Sequence, residues 1–337
     1  MKDISSLKKL YHYPVMLNEV MEICKPEKGG LFVDCTYGAG GYSNSILSFP
    51  QTRVIALDRD PETKKFADIT KKKFKDRFSF HNLKFSELNK AIDQNSKVDF
   101  IIFDLGISSL QISNLDRGFS FNSKGKLDMR MGLNSISAED VLNNLDLENL
   151  RNIIKFFGED KDSFRIATNI INQRKKGPIT STSKFVEIIE KSKKKDFKKK
   201  INPSTKTFQA IRIFVNKEIN ELIDGLSAAT EFLKSGGKLI IISFHSIEDK
   251  IIKFFFSNFS KNKSKASRYY PDIDNNIVLF ENYKNKIIKP TKPELDINRS
   301  SRSAKLRFAT RSPENFSYPT DLKKKFFHLL NLESQYV

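Results

Sequence analysis

A glycine-rich turn between two predicted strands offers the first residues that could do chemistry. Residues 31–34 predict a buried strand, and the turn that follows contains Gly38, Gly40 and Gly41. Glycine has no Cβ, so the backbone can approach a ligand closely, and the N–H groups of the next helix start are free to bind it. Asp58 ends the following strand, where a carboxylate can accept hydrogen bonds from ribose hydroxyls. The pattern predicts a nucleoside cofactor.

The spacing of the glycines distinguishes between cofactors. The turn lacks the G-x-G-x-x-G fingerprint of dinucleotide-binding proteins, which disfavours a nicotinamide-dependent oxidoreductase. S-adenosyl-L-methionine fits better, because it carries ribose and adenine but no pyrophosphate. We therefore expect S-adenosyl-L-methionine as the cofactor, and methyl transfer from it requires no metal ion.

A second polar group follows residues 98–105, whose continuous apolar character predicts a central strand. Asp104, Ser108 and Gln111 bring a carboxylate, a hydroxyl and an amide to the carboxyl edge of the sheet. The exocyclic amine of a base is a poor nucleophile, because its lone pair is delocalised into the ring. Acceptors such as Asp104 or Ser108 would favour a pyramidal nitrogen, and positioning would supply most of the remaining catalysis. The alternative is that Ser108 and Ser109 only cap a turn.

The two cysteines restrict both the chemistry and the compartment. Methylation at C5 of cytosine needs a nucleophilic cysteine near the reaction loop, whereas Cys24 and Cys35 lie elsewhere in the sequence. Methylation of nitrogen or oxygen is therefore favoured. Two cysteines cannot form a disulfide framework or a Cys-rich metal cluster. Without a signal peptide or a long apolar run, we expect a cytoplasmic protein that does not enter a membrane.

The charge of the chain points to a polyanionic partner. The 337 residues include 59 Lys and Arg against 40 Asp and Glu, a net charge of +19. The basic residues form clusters at 71–77, 171–200, 261–268 and 299–311, whereas residues 131–150 are acidic. Separated clusters of one sign predict a basic face that binds nucleic acid. The alternative is that each basic run is a solvated loop.

The elements that position these residues alternate between strand and helix. The predicted strands are residues 31–34, 53–58, 78–82, 98–105, 238–244 and an edge strand within 304–308. This alternation predicts a Rossmann-like α/β fold with a mostly parallel sheet. Residues 113–213 are predominantly helical and interrupt it, and one long helix is predicted over 207–226. We therefore predict a methyltransferase domain in two parts, 1–112 and 214–337, around an inserted helical domain, 113–213.

Motifs in a fixed order along nearly the whole chain carry a family resemblance. They are VDCTYGAGGYS (33–43), ALDRDP (56–61), DLGISSLQ (104–111), DRGFSF (116–121), LDMRM (127–131), TKTFQAIRIFVN (205–216), ISFHSIEDKI (242–251) and RSAKLR (302–307). On these motifs the chain resembles the MraW family, the ribosomal RNA small subunit methyltransferases H of bacteria. The similarity begins at His12 and ends at Arg311.

The resemblance implies a fold, a reaction and a set of binding residues. The fold would be that of a class I adenosylmethionine-dependent methyltransferase, with a seven-stranded, mostly parallel sheet and a helical insert. The reaction would methylate N4 of the cytosine at position 1402, in the decoding region of 16S rRNA in the small ribosomal subunit. By motif, the cofactor-binding residues are Gly40, Gly41, Tyr42, Asp58, Phe85, Asp104 and Gln111. Tyr42 stands where the family usually has His.

The candidate catalytic residues are Asp104, Ser108 and His245. His245 directly follows a predicted central strand, so it faces the same sheet edge as Asp104. It could position the base, assist loss of the proton or be structural, and the sequence leaves these roles open. Two other functions also stay open: methylation of amino groups in another nucleic acid, such as DNA, and a non-catalytic ribosome-binding factor. The intact glycine turn, Asp58 and Asp104 argue against the latter. The oligomeric state is not determined by the sequence.

Overall fold

The computed structural model describes residues 14–193, 202–261 and 277–335, so parts of the predicted basic clusters at 171–200 and 261–268 lie outside the described residues. The strands are β1 (Gly30–Asp34), β2 (Thr52–Leu57), β3 (Phe78–His81), β4 (Val98–Asp104), β5 (Leu233–Ser243) and β6 (Lys305–Thr310). The helices are α1 (Leu17–Cys24), α2 (Gly41–Leu47), α3 (Lys64–Phe74), α4 (Ser109–Ser113), α5 (Ala138–Asn144), α6 (Leu147–Phe156), α7 (Ser163–Arg174), α8 (Thr182–Ser192), α9 (Thr205–Asn216), α10 (Glu218–Phe232), α11 (Ser246–Asn258), α12 (Lys292–Ile297), α13 (Thr320–Lys325) and α14 (Phe327–Ser334).

The strands form one sheet in the order β3-β2-β1-β4-β5-β6. Neighbours from β3 to β5 are parallel, and β6 pairs antiparallel with β5. The register places Asp34 beside Ile102 and Asp104 beside Ile242, so β1, β4 and β5 end at one edge. The predicted Rossmann-like, mostly parallel sheet is confirmed, and its carboxyl edge collects the residues that follow these strands.

The central strands explain why this sheet is stable. Ile101, Ile102 and Phe103 of β4 are completely buried, as expected for a strand that is covered on both faces. The same holds for residues 239–242 of β5. Burying each such side chain contributes about 2 kcal/mol of hydrophobic free energy. The apolar runs recognised in the sequence are therefore the strands that hold the sheet edge in place.

The sheet has six strands among the described residues, so the expectation of seven is wrong there. Among the described residues, one isolated antiparallel bridge joins Phe280 to Arg311 just after β6, and another joins Ile288 to Leu306. In the second bridge, the N–H groups and carbonyls exchange two hydrogen bonds of 3.0 and 2.9 Å. Pro290 and Pro293 follow closely, and proline has no N–H to continue a ladder. The pairing therefore stops after one residue.

The predicted long helix over 207–226 is also wrong, because the chain divides it into α9 and α10. Lys217 lies between them with φ 48°, a left-handed conformation that ends a helix. The backbone N–H groups of Ile219 and Asn220 then donate to the buried carboxylate of Glu333, at 2.9 and 2.8 Å. Nothing local marks the break, since no Gly or Pro precedes Lys217 within α9.

The chain divides into two compact units. Unit 1 comprises residues 1–106 and 221–326, and unit 2 comprises residues 107–220 and 327–337. The sequence-based division lies at 112/113 and 213/214 and assigns the C-terminal residues to the methyltransferase domain, so the two divisions differ at these places. Unit 1 contains the sheet, and unit 2 contains α4 to α9 with α14. Among the described residues, no helix is long and apolar enough to cross a membrane.

Candidate cofactor and substrate site

The glycine turn joins β1 to α2 and is bonded to the end of β2. The N–H of Gly38 donates to Asp58 Oδ2 at 2.7 Å, and the N–H of Asp60 donates to Asp58 Oδ1 at 2.8 Å. The N–H of Tyr37 donates to the carbonyl of Leu57 at 2.9 Å. The structure therefore brings the predicted turn and the predicted ribose-binding carboxylate into direct contact.

Two positions in the turn require glycine for steric reasons. Gly40 caps the start of α2 with φ 82°, and a Cβ there would lie 2.6 Å from Tyr37 Oη. Gly41 begins α2, and a Cβ there would lie 2.8 Å from the ring of Pro14. A Cβ on Gly38 would meet nothing nearer than 4.0 Å. The turn is thus closely packed behind Gly40 and Gly41 and has room on the side of Gly38, which fits a cofactor cradle.

Burial changes the acidity of Asp58. Desolvation raises the pKa of its carboxyl to about 7, even though the N–H groups of Asp60 and Gly38 act in the opposite direction. A ribose hydroxyl donates to a carboxylate, so binding of a ribose favours the ionised form. Asp58 can accept such a bond with its remaining lone pairs.

Asp34 is a site residue that the sequence analysis missed. It ends β1, is completely buried and accepts a 2.7 Å hydrogen bond from the hydroxyl of Ser43 in α2. Burial raises the pKa of Asp34 to about 6. The bond to Ser43 holds α2 against β1 and so fixes the turn between them. An acid immediately before a glycine-rich turn is the signal that could have identified it.

Asp104 ends β4 with one oxygen engaged and one unsatisfied. Its backbone N–H donates to Thr36 Oγ1 at 2.8 Å, and its Oδ2 lies 3.4 Å from the hydroxyl of Tyr42. Its Oδ1 is buried and has no hydrogen-bond partner within the described parts of the chain. Burial, reinforced by the nearby carboxylates of Asp34 and Glu248, raises the pKa of Asp104 well above its usual range. The arrangement offers a basic acceptor for a donor that the described residues do not supply.

Tyr42 is buried in the core of unit 1, and its side chain contacts protein groups. The hydroxyl lies within hydrogen-bond distance of both the carbonyl of Val15 and Asp104 Oδ2. Its backbone belongs to the first turn of α2, beside Gly41. The structure therefore shows a link between Tyr42 and Asp104, and the cofactor contact of Tyr42 stays a prediction.

Phe85 begins a short 3₁₀ segment, Phe85–Lys90, after β3. Its ring packs edge-on against Phe103 of β4, with centroids 5.1 Å apart. A Cβ on Gly225 of α10 would lie 2.5 Å from the Phe85 ring, so only glycine allows this approach. The ring is half-buried. Phe85 is thus held rigidly with part of its surface available for an aromatic ligand.

Ser108 and Gln111 belong to unit 2 and bind each other. The N–H of Gln111 donates to Ser108 Oγ at 3.2 Å, and the N–H of Ser108 donates to Gln111 Oε1 at 3.0 Å. This reciprocal arrangement is a capping box at the start of α4. The capping role considered for Ser108 is confirmed, whereas the substrate role of Ser108 and the cofactor role of Gln111 stay predictions.

His245 follows β5 and precedes α11, at the same sheet edge as Asp104. Its ring is almost completely buried, with 7% of the side chain exposed. Glu248, which the sequence analysis did not single out, contacts both nitrogens of this ring. The signal was present, because His-x-x-Glu before a helix has the spacing of a capping box.

Several cations that were predicted to form a basic face are bound inside the protein instead. Arg77 donates to the carbonyls of Phe49 and Thr52, and Arg174 donates to those of Leu142 and Leu145. In the C-terminal cluster, Arg307 pairs with a carboxylate and Arg311 is buried among backbone carbonyls. Exposed lysines remain at positions 71–73 and 75. Net charge therefore overstates the surface that is available to a polyanion.

The parallel sheet, the glycine turn after β1 and the acids that end β2 and β4 define a class I adenosylmethionine-dependent methyltransferase. Residues 9–312 match the model of the MraW methylase family. The chain belongs to the MraW methylase family. S-adenosyl-L-methionine is its methyl donor, as the glycine turn predicted, and the residues around Asp58 and Asp104 fit it.

Curated relatives are similar over most of their length. The ribosomal RNA small subunit methyltransferase H of Ehrlichia ruminantium (strain Welgevonden) is 40% identical over 302 residues, which cover 88% of this chain and 98% of that protein. The protein of the same name from Rickettsia akari (strain Hartford) is 43% identical over 304 residues, 88% of this chain and 97% of that protein. A solved rRNA methylase from Streptococcus thermophilus has 9% identity and a TM-score of 0.39, covering 90% of this chain and 99% of that one.

Proposed function

We propose that the protein transfers a methyl group from S-adenosyl-L-methionine to the exocyclic N4 of the cytosine at position 1402 of bacterial 16S rRNA. The observation that carries this proposal is the unsatisfied oxygen of Asp104 at the carboxyl end of β4. A buried acceptor of this kind is stabilised by a hydrogen-bond donor, and the N–H of an exocyclic amine can supply one. The names of the relatives from Ehrlichia and Rickettsia support ribosomal RNA as the molecule that carries the amine.

The cofactor would be held at the carboxyl edge of the sheet. Gly40 and Gly41 let the turn pack closely against the protein and so shape the cradle, Asp58 accepts from the ribose hydroxyls, and Phe85 packs against the adenine. Tyr42, Asp104 and Gln111 complete the set that the family resemblance implies. When bound, S-adenosyl-L-methionine supplies a methyl group already activated by its positive sulfur.

Asp104 would act on the amine itself. When Oδ1 accepts a hydrogen bond from the amine N–H, the nitrogen is drawn out of conjugation with the ring and its lone pair is oriented. The raised pKa of Asp104 also makes its carboxylate a better acceptor for the proton that the amine loses. Ser108 and His245 are proposed to contact the base. The target base must be unstacked from its neighbours to reach the buried Asp104.

The partner would be 16S rRNA within the small ribosomal subunit, in the cytoplasm. The positive charge of the chain suits this partner, although Arg77, Arg174 and Arg311 serve the fold. Exposed cations such as Lys72, Lys73 and Lys75 on and after α3 are the better candidates for phosphate contacts.

The test supplies methyl-labelled S-adenosyl-L-methionine with small subunits lacking the modification, with naked 16S rRNA and with unmethylated DNA. Digestion and mass spectrometry identify the labelled nucleoside, and fragment mapping locates it. We expect N4-methylcytidine at position 1402 in subunits or in naked rRNA. Label in DNA would support the alternative amino-methyltransferase. Binding to subunits without any transfer would support a non-catalytic factor. Either result would overturn the proposal.

A further inference from the structure

The carboxylate of Glu248 contacts both the main chain and the ring of His245. Its Oε2 accepts the N–H of Phe244 at 2.8 Å and the N–H of His245 at 3.2 Å. Its Oε1 lies 3.1 Å from His245 Nε2. Its own backbone N–H donates to His245 Nδ1 at 3.4 Å. Glu248, which is itself buried, therefore contacts the backbone N–H and both ring nitrogens of His245.

These contacts specify where the imidazole carries its proton. Nδ1 accepts a backbone N–H, so its lone pair is used and it holds no hydrogen. Nε2 faces a carboxylate oxygen, which repels a lone pair and attracts an N–H. The two observations are independent and agree on the tautomer with hydrogen on Nε2.

The N–H of Nε2 does not form a hydrogen bond with Glu248. Although Oε1 lies 3.1 Å away, the geometry is not that of a hydrogen bond, and Nε2 is buried without a hydrogen-bond partner among the described residues. If His245 were only a helix cap, Ser, Thr, Asp or Asn would serve better. A buried donor with no hydrogen-bond acceptor among the described residues indicates an acceptor on a ligand.

We propose that Glu248 is a positioning residue that holds His245 as a hydrogen-bond donor, through Nε2–H, to an acceptor on the target base. The class of acceptor is a ring nitrogen or a carbonyl oxygen, such as N3 or O2 of a cytosine. This inference rests on the proposed function and deepens it, because it assigns different hydrogen-bonding roles to the two residues at the sheet edge. Asp104 accepts from the amine, and His245 donates to its neighbour on the ring. His245 is then a contact that selects the base and does not accept the reaction proton.

The decisive variant is Glu248→Gln. Its single carbonyl oxygen must stay on the N–H groups of Phe244 and His245, which turns its amide N–H toward Nε2. Two donors then face each other, so the ring gives up the Nε2–H tautomer or rotates. Asp249→Asn is the matched control, because Asp249 is the next residue of α11 and its carboxylate pairs with Lys305 and Arg307 instead.

Two measurements detect the effect of Glu248→Gln on the tautomer and on catalysis. Nitrogen-15 NMR of labelled histidine, assigned with His245→Asn, reports the tautomer directly. We expect Nε2–H for His245 in the wild type and in Asp249→Asn, and loss of that pattern in Glu248→Gln. Steady-state kinetics on rRNA should show kcat/KM reduced about tenfold or more in Glu248→Gln, with S-adenosyl-L-methionine affinity within about twofold of wild type.

His245→Asn separates the base contact from helix capping, because asparagine is a good N-cap residue but lacks Nε2. We expect a folded protein that binds the cofactor normally and methylates rRNA poorly. Near-normal turnover by His245→Asn, or an unchanged tautomer in Glu248→Gln, would overturn the inference. A wild-type protein that does not methylate rRNA would overturn the proposed function and the base contact together. The NMR result would still decide whether Glu248 sets the tautomer.

Discussion

The hydroxyl of Tyr42 lies 3.4 Å from Asp104 Oδ2 and also within hydrogen-bond distance of the carbonyl of Val15, so its hydrogen is shared between two acceptors. One side chain thus links the segment before α1, the first turn of α2 and the end of β4. Because Tyr42 is buried, this link is shielded from solvent. The residue that departs from the usual His of the family therefore bears directly on the proposed catalytic carboxylate.

Tyr42→Phe should move the pH dependence of catalysis upward. The hydroxyl of Tyr42 lowers the pKa of Asp104, against the larger raising effect of burial. Removing it raises that pKa further, so ionised Asp104 forms only at higher pH. The rising limb of single-turnover rate against pH, measured at saturating cofactor, should shift to higher pH. An unshifted limb would show that the hydroxyl does not act on Asp104.

Asp104→Asn should slow methyl transfer far more than it weakens cofactor binding. The amide keeps the shape of the carboxylate but cannot take a proton, so the single-turnover rate should fall by about 10²-fold or more. Asp99→Asn is the matched control, because Asp99 belongs to the same strand and accepts the N–H of Leu31 at the opposite end of β1. Near-normal turnover by Asp104→Asn would remove Asp104 from the mechanism.

Affinity for S-adenosyl-L-methionine should depend on pH through Asp58. Its pKa in the free protein is about 7, so the carboxyl is protonated below that pH. Ribose hydroxyls donate to the ionised form, so binding releases a proton, and affinity falls up to about tenfold for each pH unit below 7. Calorimetry between pH 5.5 and 8 would measure this. Asp58→Asn should bind weakly with a flat profile, and a flat wild-type profile would contradict the assignment.

Gly225→Ala should weaken cofactor binding without touching the reacting groups. The new Cβ would lie 2.5 Å from the ring of Phe85, which must move away from Phe103. We expect a higher KM for S-adenosyl-L-methionine, by about tenfold, and an unchanged kcat at saturation. The control is Ser227→Ala in the same helix, because the hydroxyl of Ser227 donates to the carbonyl of Ile223 within α10. Equal KM in both variants would mean that Phe85 does not contact the adenine.

Much of unit 1 could be predicted from local patterns in the sequence. The strands that end at Asp34 and Asp104 are marked by short apolar runs, and their parallel order follows from alternation with helices. The break at Lys217 could not be predicted, because α9 and α10 contain an uninterrupted helical pattern across it. Glu333, more than 100 residues away, supplies the acceptor that makes a new helix start favourable there.

The sequence by itself determined the kind of site: a glycine turn, a carboxylate after β2 and another after β4. These features depend on local backbone chemistry and on the rule that parallel strands end at one edge. Tertiary structure decided which charges remain available and which side chains act together. Arg77, Arg174 and Arg311 are bound to carbonyls, and Glu248 sets the ring of His245. The partners of most of these groups are distant in the chain or depend on side-chain geometry. Local sequence patterns therefore do not predict these contacts.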